Sequence, residues 1–151
     1  MLRDPGHLLA FGFGSGLVRR APGTFGTLAA IPLYLLMQAL PLTAYLAVTA
    51  LLFVLGVWVC GRAARALGVH DAPAIVWDEV VGYLLVMAAA PPGWESVLLG
   101  FVLFRLFDIA KPWPIRWVDR HVTGGLGIML DDLIAAVPAW VLLQISVRFL
   151  V

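Results

Sequence analysis

The stretch that decides the fold is Leu42–Cys60, which reads LTAYLAVTALLFVLGVWVC. None of its 19 residues carries a formal charge, and about 20 apolar residues of helix are enough to cross the hydrocarbon core of a bilayer. Pro41 stands directly before the stretch, and a proline lacks a backbone donor and restricts the residue that precedes it. We therefore predict a membrane-spanning helix that follows a turn at Pro41.

The composition of the whole chain supports this prediction. Residues of the types Ala, Val, Ile, Leu, Met, Phe, Trp, Tyr and Cys make up 62% of the 151 positions, and charged residues make up 13%, about half of the ~25% found in typical soluble domains. The mean hydropathy is +0.98. Such a chain is neither disordered nor a lone soluble globule. A net charge of +1 and the single Cys60 exclude a nucleic-acid partner and a disulfide scaffold.

Apolar segments also occur on both sides of this stretch. Residues 21–40 are charge-free and contain Pro32, which predicts a kinked span, and residues 133–151 predict another span. Shorter apolar helices are predicted at 76–90 and 96–108, either steeply tilted, half-spanning or buried within a bundle. The pattern predicts an all-α fold, namely a compact multi-helix membrane bundle.

The basic residues predict the orientation of this bundle, which we expect to be one membrane-embedded domain over residues 1–151. If the predicted helices pair as hairpins, eight of the ten basic residues face one compartment: Arg3, Arg19, Arg20, Arg62, Arg65, Lys111, Arg116 and Arg120. By the positive-inside rule, that compartment is the cytoplasm. The protein is therefore predicted to be a multi-pass protein of a cytoplasmic membrane.

Most of the acidic residues fall on the same predicted side. They are Asp71, Asp78, Glu79, Asp108, Asp119, Asp131 and Asp132. An ionised carboxylate in an apolar setting is costly unless a cation, a base or water accompanies it. A cluster of acids at one face therefore indicates a functional site there.

Two adjacent acids, Asp78 and Glu79, stand in the apolar sequence AIVWDEVVG. Neighbouring positions of a helix point about 100° apart, so the two carboxylates can hold a metal ion or act in catalysis from one backbone. The alternative is a structural ion pair with Arg62, Arg65 or Arg105.

A second group of charged residues occurs in FRLFDIAKPWP. Arg105 and Asp108 are three positions apart and share one helical face, and the prolines after Lys111 end the helix. Because an acid at a helix C-terminus opposes the macrodipole, Asp108 is not a cap. We expect Asp108 to bind metal or water while Arg105 and Lys111 bind phosphate; a plain Arg105–Asp108 pair is the alternative.

Two further segments carry candidate residues. Asp131 and Asp132 follow the glycine-rich sequence GGLG; one or both belong to the site, or they cap the N-terminus of the next helix. The sequence GFGSGLVRRAPGTFGT at 12–27 contains Arg19 and Thr24, which predicts an anion cradle. The alternative for this segment is a turn with arginine anchors at the membrane surface.

Ligation by carboxylates alone suits a hard cation, above all Mg²⁺, which uses one or two carboxylates together with waters and substrate phosphate. Neighbouring lysine and arginine residues indicate a phosphate-bearing substrate. An amphiphilic substrate would place its head group at the depth of these acids. The residues thus predict a Mg²⁺-dependent enzyme that acts on a membrane lipid phosphate.

The chain closely resembles the bacterial phosphatidylglycerophosphatase A family. The resemblance rests on blocks in the right order: His7–Ala10 with Gly12–Leu17, Ala21–Thr24, His70-Asp71, Ile75–Glu79, Phe104-Arg105, Asp108, Lys111–Trp117 and Asp131-Asp132. It implies a Mg²⁺-dependent phosphatase of the inner membrane, with its active site facing the cytoplasm. The implied reaction removes the terminal phosphate of phosphatidylglycerophosphate and yields phosphatidylglycerol and inorganic phosphate.

The roles that we expect of the candidate residues follow from this reaction. The Mg²⁺ ligands are Asp78, Glu79 and one or both of Asp131 and Asp132, and the general base or a further ligand is Asp108. Phosphoryl oxygens are bound by Arg105 and Lys111, with Arg19 and Thr24 as further contacts. Direct attack by water and an aspartyl-phosphate intermediate both stay open, as does the oligomeric state.

Two other functions compete with this prediction. A small transporter or channel would distribute its intramembrane acids through the depth of the bilayer, whereas these acids collect on one side. A lipid head-group transferase that uses CDP-lipids would carry a spaced Asp-Gly, Ala-Arg, Gly, Asp, Asp signature, which this chain lacks. Both are therefore weaker than the phosphatase.

Overall fold

A computed structural model describes residues 6, 10, 12, 22–68, 75–91, 93–110, 117 and 124–150 of the chain. Five helices with described bounds and no strand lie within these residues. They are α1 (Pro22–Met37), α2 (Leu42–Leu67), α3 (Trp77–Val86), α4 (Trp94–Ala110) and α5 (Gly124–Leu150). The predicted all-α class is confirmed.

The first two helices meet at the predicted turn. α1 contains Pro32 within its length, and α2 begins directly after Pro41. α2 does not stop at Cys60, where the charge-free stretch stops, but continues for two further turns. Its end is set by Gly68, whose φ of 71° is a left-handed conformation that glycine adopts without steric cost. The arginines in these last turns favour the extension, because cations near a helix C-terminus interact well with the macrodipole.

The two middle helices are short. α3 has 10 residues, or about 15 Å at a rise of 1.5 Å per residue, which is half of a ~30 Å hydrocarbon core. The predicted helix at 76–90 was therefore too long at its C-terminal end, where Ala89 has a φ of 60°. α4 has 17 residues. Both helices pack against α5 inside the bundle.

The last helix begins earlier than the predicted span at 133. α5 begins at Gly124 and has 27 residues, with Pro138 inside it. Asp131 and Asp132 are consequently seven and eight positions inside the helix. Because only the first turn of a helix has amides that need capping, the alternative in which these aspartates cap α5 is wrong.

Within the described residues, α2 and α5 are the two helices that are long and apolar enough to cross a membrane. The outer face of α2 exposes large apolar side chains such as Leu51, Val54 and Trp58, as a lipid-facing surface does.

α5 is the centre of the bundle and packs against α2, α3 and α4. Its contact with α2 is especially close, because a Cβ on Gly125 would lie 1.9 Å from the Val57 carbonyl oxygen. Further along, the Cys60 Sγ and Met129 Sδ atoms are 3.9 Å apart. The buried apolar side chains form one core, whose largest members include Tyr83, Leu84, Phe104 and Leu143. This packing determines which polar groups meet.

Candidate active site

Five acids from three helices meet inside the bundle. Asp78 and Glu79 stand in the first turn of α3, Asp108 in the last turn of α4, and Asp131 and Asp132 on α5. They converge because α5 packs against both shorter helices. These are the five acids that the sequence analysis proposed as catalytic or metal-binding residues.

The carboxylates form two groups that share one residue. In the first group, one oxygen each from Asp78, Glu79 and Asp132 lie within 4.8 Å of one another. In the second group, one oxygen each from Asp108, Asp131 and Asp132 lie within the same distance. Asp132 therefore connects the two acids of α3 with Asp108 of α4.

The acids are shielded from solvent, and several of their oxygens lack hydrogen bonds. The exposed fraction is 6% for Asp78 and 2% for Asp132. No hydrogen bond reaches Asp78 Oδ1, Glu79 Oε2 or Asp132 Oδ2, although each atom is buried. Since a buried charge without a partner is strongly unfavourable, these oxygens indicate a site for a cationic ligand.

A glycine on α3 allows the helices to approach this closely. A Cβ on Gly82 would lie 2.6 Å from the Cζ atom of Phe104 on α4 and 3.4 Å from the Cβ atom of Asp132 on α5. The missing side chain thus makes room for a ring and a carboxylate at once. Sequence reasoning missed this residue; its signal was a lone glycine about one turn after the acidic pair.

One arginine is held against the acids. Arg105 donates from Nη1 to Asp108 Oδ2 at 2.5 Å. The spacing of three residues predicted that the two side chains share one helical face, and this pair is the alternative that the sequence analysis left open. The side chain is mostly buried, and its Nε atom has no acceptor. The charge of Arg105 also acts on Glu79. The arginine therefore has a donor available for an anion beside the carboxylates.

Burial and mutual repulsion raise the pKa values of the two acids of α3, a helix too short to span a membrane. Burial raises the pKa of Asp78 well above its usual range, and the charges of Asp132 and Glu79 raise it further. Burial raises the pKa of Glu79 to about 7, although a hydrogen bond to Asp78 and the charge of Arg105 oppose the rise. A cation between the carboxylates would lower these pKa values again, because it favours the ionised forms.

The structure answers the question of ion pairing for the α3 acids. Within the described ranges, Asp78 and Glu79 form no salt bridge with Arg62 or Arg65, and Arg105 bonds to Asp108 instead. A structural ion pair with one of these three arginines therefore does not explain the acidic pair.

The predicted phosphate-binding residues are only partly described. Arg105 lies at the acids, and Thr24 is half-buried in the first turn of α1. That turn is near the start of α3, because a Cβ on Gly26 would lie 2.6 Å from the Val76 Cβ. Arg19 and Lys111 lie outside the described residues.

The donor set suits a divalent cation. All five groups are carboxylates from neighbouring backbone segments, and hard cations such as Mg²⁺ and Mn²⁺ prefer oxygen ligands. Several buried carboxylate oxygens also lack hydrogen bonds, so they are available as ligands for a cation. The residues present could thus hold a metal ion.

Comparison with known proteins decides the family. The sequence profile of the phosphatidylglycerophosphatase A family matches residues 8–147. This chain belongs to the phosphatidylglycerophosphatase A family. It is accordingly a phosphatase, and the resemblance seen in the sequence is confirmed.

Individual relatives agree with the family assignment. Phosphatidylglycerophosphatase A of Escherichia coli is 51% identical over 90% of this chain and 80% of its own length. The Haemophilus influenzae protein of the same name is 49% identical over 91% of this chain and 86% of its own length. A Bacteroides thetaiotaomicron protein, provisionally named a phosphatidylinositol-3-phosphatase, is 39% identical over 92% of this chain and 91% of its own length. No solved structure matches significantly.

Proposed function

We propose that this member of the family is a Mg²⁺-dependent lipid phosphatase that hydrolyses phosphatidylglycerophosphate to phosphatidylglycerol and inorganic phosphate. The observation that carries the proposal is the buried acid cluster, with an arginine donor beside it, in a chain of phosphatase ancestry. The carboxylates would hold a cation and the arginine would bind the phosphoryl oxygens, and both would stabilise the charge that develops in phosphate monoester hydrolysis.

The substrate is proposed from two relatives. The Escherichia coli and Haemophilus influenzae proteins are both named for phosphatidylglycerophosphate hydrolysis and cover most of this chain. The lipid nature of the substrate also agrees with the apolar helices that surround the acids, since a phospholipid can remain in the bilayer while its head group reaches them. The reaction belongs to phospholipid synthesis.

We propose that the cation-binding residues are Asp78, Glu79, Asp131 and Asp132, as the sequence analysis expected. Asp78, Glu79 and Asp132 form the first carboxylate group, and Asp131 lies in the second group. When bound, a divalent cation supplies charge neutralisation for the phosphate and lowers the pKa of water. Mg²⁺ is the ion we propose, because the donors are all hard oxygens. The uncoordinated oxygens of Asp78 and Glu79 support this assignment.

Arg105 is proposed to bind the phosphoryl oxygens. Its Nη1 atom is already engaged by Asp108, which holds the guanidinium in one orientation, while its Nε atom is available. A preorganised donor of this kind stabilises the charge that develops in the transition state. Lys111, Arg19 and Thr24 are proposed as further phosphate contacts on their sequence positions.

Hydrolysis forms a bond between a water oxygen and phosphorus and breaks the bond from phosphorus to the glycerol oxygen. The water loses a proton and the departing glycerol oxygen gains one. Asp108 is our candidate for the proton acceptor or for a further metal ligand. Its Oδ2 atom accepts a hydrogen bond from Arg105. Asp108 also belongs to the second carboxylate group, and this membership favours the role of metal ligand.

We further propose that residues 1–151 form one domain in the bacterial inner membrane, with the acids toward the cytoplasm. Support comes from the single core and from the position of the acids at the end of α2 that carries Arg62 and Arg65. That end is identified by Cys60, which lies near both Asp78 and Met129. Basic residues at one end of a span mark its cytoplasmic side.

The experiment measures phosphate release from phosphatidylglycerophosphate in detergent micelles, with Mg²⁺ and with EDTA, for the wild type and for Asp78→Asn. We expect release that requires the cation and is lost in the variant. Glu95→Gln, which changes an exposed acid at the start of α4, is the matched control and is expected to retain activity.

Folding of each variant is checked by circular dichroism and by elution on gel filtration. Phosphatidylinositol 3-phosphate serves as a competing substrate, because one relative is provisionally named for it. Normal turnover by a folded Asp78→Asn protein, or no release from the wild type with any divalent cation, would contradict the proposed function.

A further inference from the structure

We propose that the acid cluster binds two divalent cations, with Asp132 as the ligand that they share. This inference deepens the proposed function and rests on it, since it concerns the same site. It adds the number of ions and assigns each ion its own set of acids.

The geometry provides the first reason. The five carboxylates do not form one group in which every oxygen is near every other. They form two sets of three, and each set has one oxygen per residue within 4.8 Å. Asp78 and Glu79 occur in the first set alone, Asp108 and Asp131 in the second set alone, and Asp132 in both. Three carboxylates at such separations can surround one small cation, so each set forms a site of its own.

The charge balance provides the second reason. When ionised, the five carboxylates and the guanidinium of Arg105 carry a net charge of −4 among the groups that the structure describes at this point. One divalent cation leaves −2, and two divalent cations bring the net charge to zero. In a region as buried as Asp78 and Asp132, an uncompensated charge is costly, and the neutral combination is favoured.

Unpartnered buried atoms provide an independent third reason. Asp78 Oδ1 belongs to a residue of the first set alone, and Asp132 Oδ2 belongs to the shared residue; both side chains are more than nine-tenths buried and both atoms lack hydrogen bonds. On the side of the second set, the buried Nε of Arg105 also lacks an acceptor. Unsatisfied acceptors thus lie within the carboxylate groups, and an unsatisfied donor lies beside Asp108, where a phosphate anion would bind.

Two cations about 3.5–4 Å apart form a known arrangement for phosphoryl chemistry. A shared carboxylate brings two sites this close, because its two oxygens can each contact one ion. Asp132 is the described residue that satisfies this requirement. Its neighbours on α3 and α4 then belong to different ions.

The test uses the full-length protein in detergent, stripped of metal with EDTA, and Mn²⁺ as the probe. Bound Mn²⁺ is measured by elemental analysis after gel filtration, and its magnetic coupling by electron paramagnetic resonance. We expect two Mn²⁺ per chain in the wild type and a spectrum of a spin-coupled pair. Glu95→Gln is expected to behave as the wild type does.

Variants then separate the two sets. Asp78→Asn and Asp108→Asn are each expected to retain one Mn²⁺ per chain and to show the uncoupled six-line spectrum. Asp132→Asn is expected to weaken the binding of both ions. The wild-type stoichiometry and spectrum need no variant, so the proposal is testable even where a substitution prevents folding.

Each outcome has a defined meaning. One uncoupled Mn²⁺ per wild-type chain, together with normal phosphate release, would overturn the two-ion site and leave the proposed function intact. Two coupled ions without phosphate release from any lipid would support the site and contradict the proposed function. Loss of both ions in Asp78→Asn and in Asp108→Asn would overturn the division into two sets.

Discussion

The guanidinium of Arg105 is bonded through Nη1 to Asp108 Oδ2 at 2.5 Å, one turn further along α4. This pair joins a phosphate-binding candidate to a metal-binding candidate. Because the bond fixes the plane of the guanidinium, the remaining buried donor at Nε has a defined direction. The two residues therefore act as a unit, and a substitution of either one changes the orientation of the other.

The first prediction concerns Arg105. In Arg105→Lys the positive charge is retained, but the planar fork that bonds Asp108 and a phosphate together is lost. We expect kcat/KM for phosphate release to fall by roughly 100-fold, as is typical for the loss of a preorganised donor to a developing charge, and kcat to fall more than KM rises. Steady-state kinetics on phosphatidylglycerophosphate give both constants.

Arg148→Lys, near the C-terminus and in the last turn of α5, is the control for Arg105→Lys and is expected to leave both constants unchanged. If KM alone rises in Arg105→Lys while kcat stays at the wild-type value, then the arginine contributes to ground-state binding and not to the transition state.

The second prediction concerns Gly82. In Gly82→Ala the new methyl group meets the ring of Phe104 at 2.6 Å, so α3 and α4 must separate or the ring must move. We expect a loss of about 1–3 kcal/mol in stability, typical of overpacking in a well-filled core, together with weaker Mn²⁺ binding. Thermal unfolding in detergent and Mn²⁺ titration are the measurements.

The double variant Gly82→Ala/Phe104→Leu tests the cause, since a smaller side chain at 104 makes room for the methyl group. We expect it to recover part of the lost stability relative to Gly82→Ala. Equal stabilities of the single and double variants would show that the ring of Phe104 is not the obstacle.

The third prediction concerns the crossing of α2 and α5. A Cβ on Gly125 would lie 1.9 Å from the carbonyl oxygen of Val57, and this neighbour is backbone that has no other rotamer. A Cβ on Gly61 would meet backbone at 3.3 Å instead. We therefore expect Gly125→Ala to lower the unfolding temperature in detergent clearly more than Gly61→Ala does. The opposite order would mean that the two helices do not approach at Gly125.

The fourth prediction concerns metal removal. A cation that binds the folded state stabilises it by RT ln(1 + [L]/Kd), which is about 2.7 kcal/mol at 100 times Kd. We expect EDTA to lower the unfolding temperature of the wild type and Mg²⁺ to restore it. Asp132→Asn, which alters both carboxylate groups, is expected to unfold at nearly the same temperature with and without Mg²⁺. A full Mg²⁺ response in that variant would place the stabilising ion elsewhere.

Local features of the sequence were enough to predict the helices and the candidate acids. The charge-free stretch after Pro41 became α2. The spacing of Arg105 and Asp108 predicted that they share one helical face, where they form the salt bridge that the sequence analysis gave as an alternative. Helix ends were predicted less well, because the boundaries had been placed where charges begin. α2 includes Arg62 and Arg65, and α5 includes Asp131 and Asp132, so charges do not end these helices.

The sequence by itself determined an all-α fold with helices apolar enough for a membrane, and it identified the candidate acids, because apolar length, proline position and the cost of buried charge act locally along the chain. The tertiary structure decided how those acids are grouped. Asp132 belongs to two carboxylate sets only because α5 packs between α3 and α4, and Gly82 lets α3 approach Phe104 and Asp132. Such contacts depend on the distances between helices distant in the sequence, and no local pattern of residues specifies them.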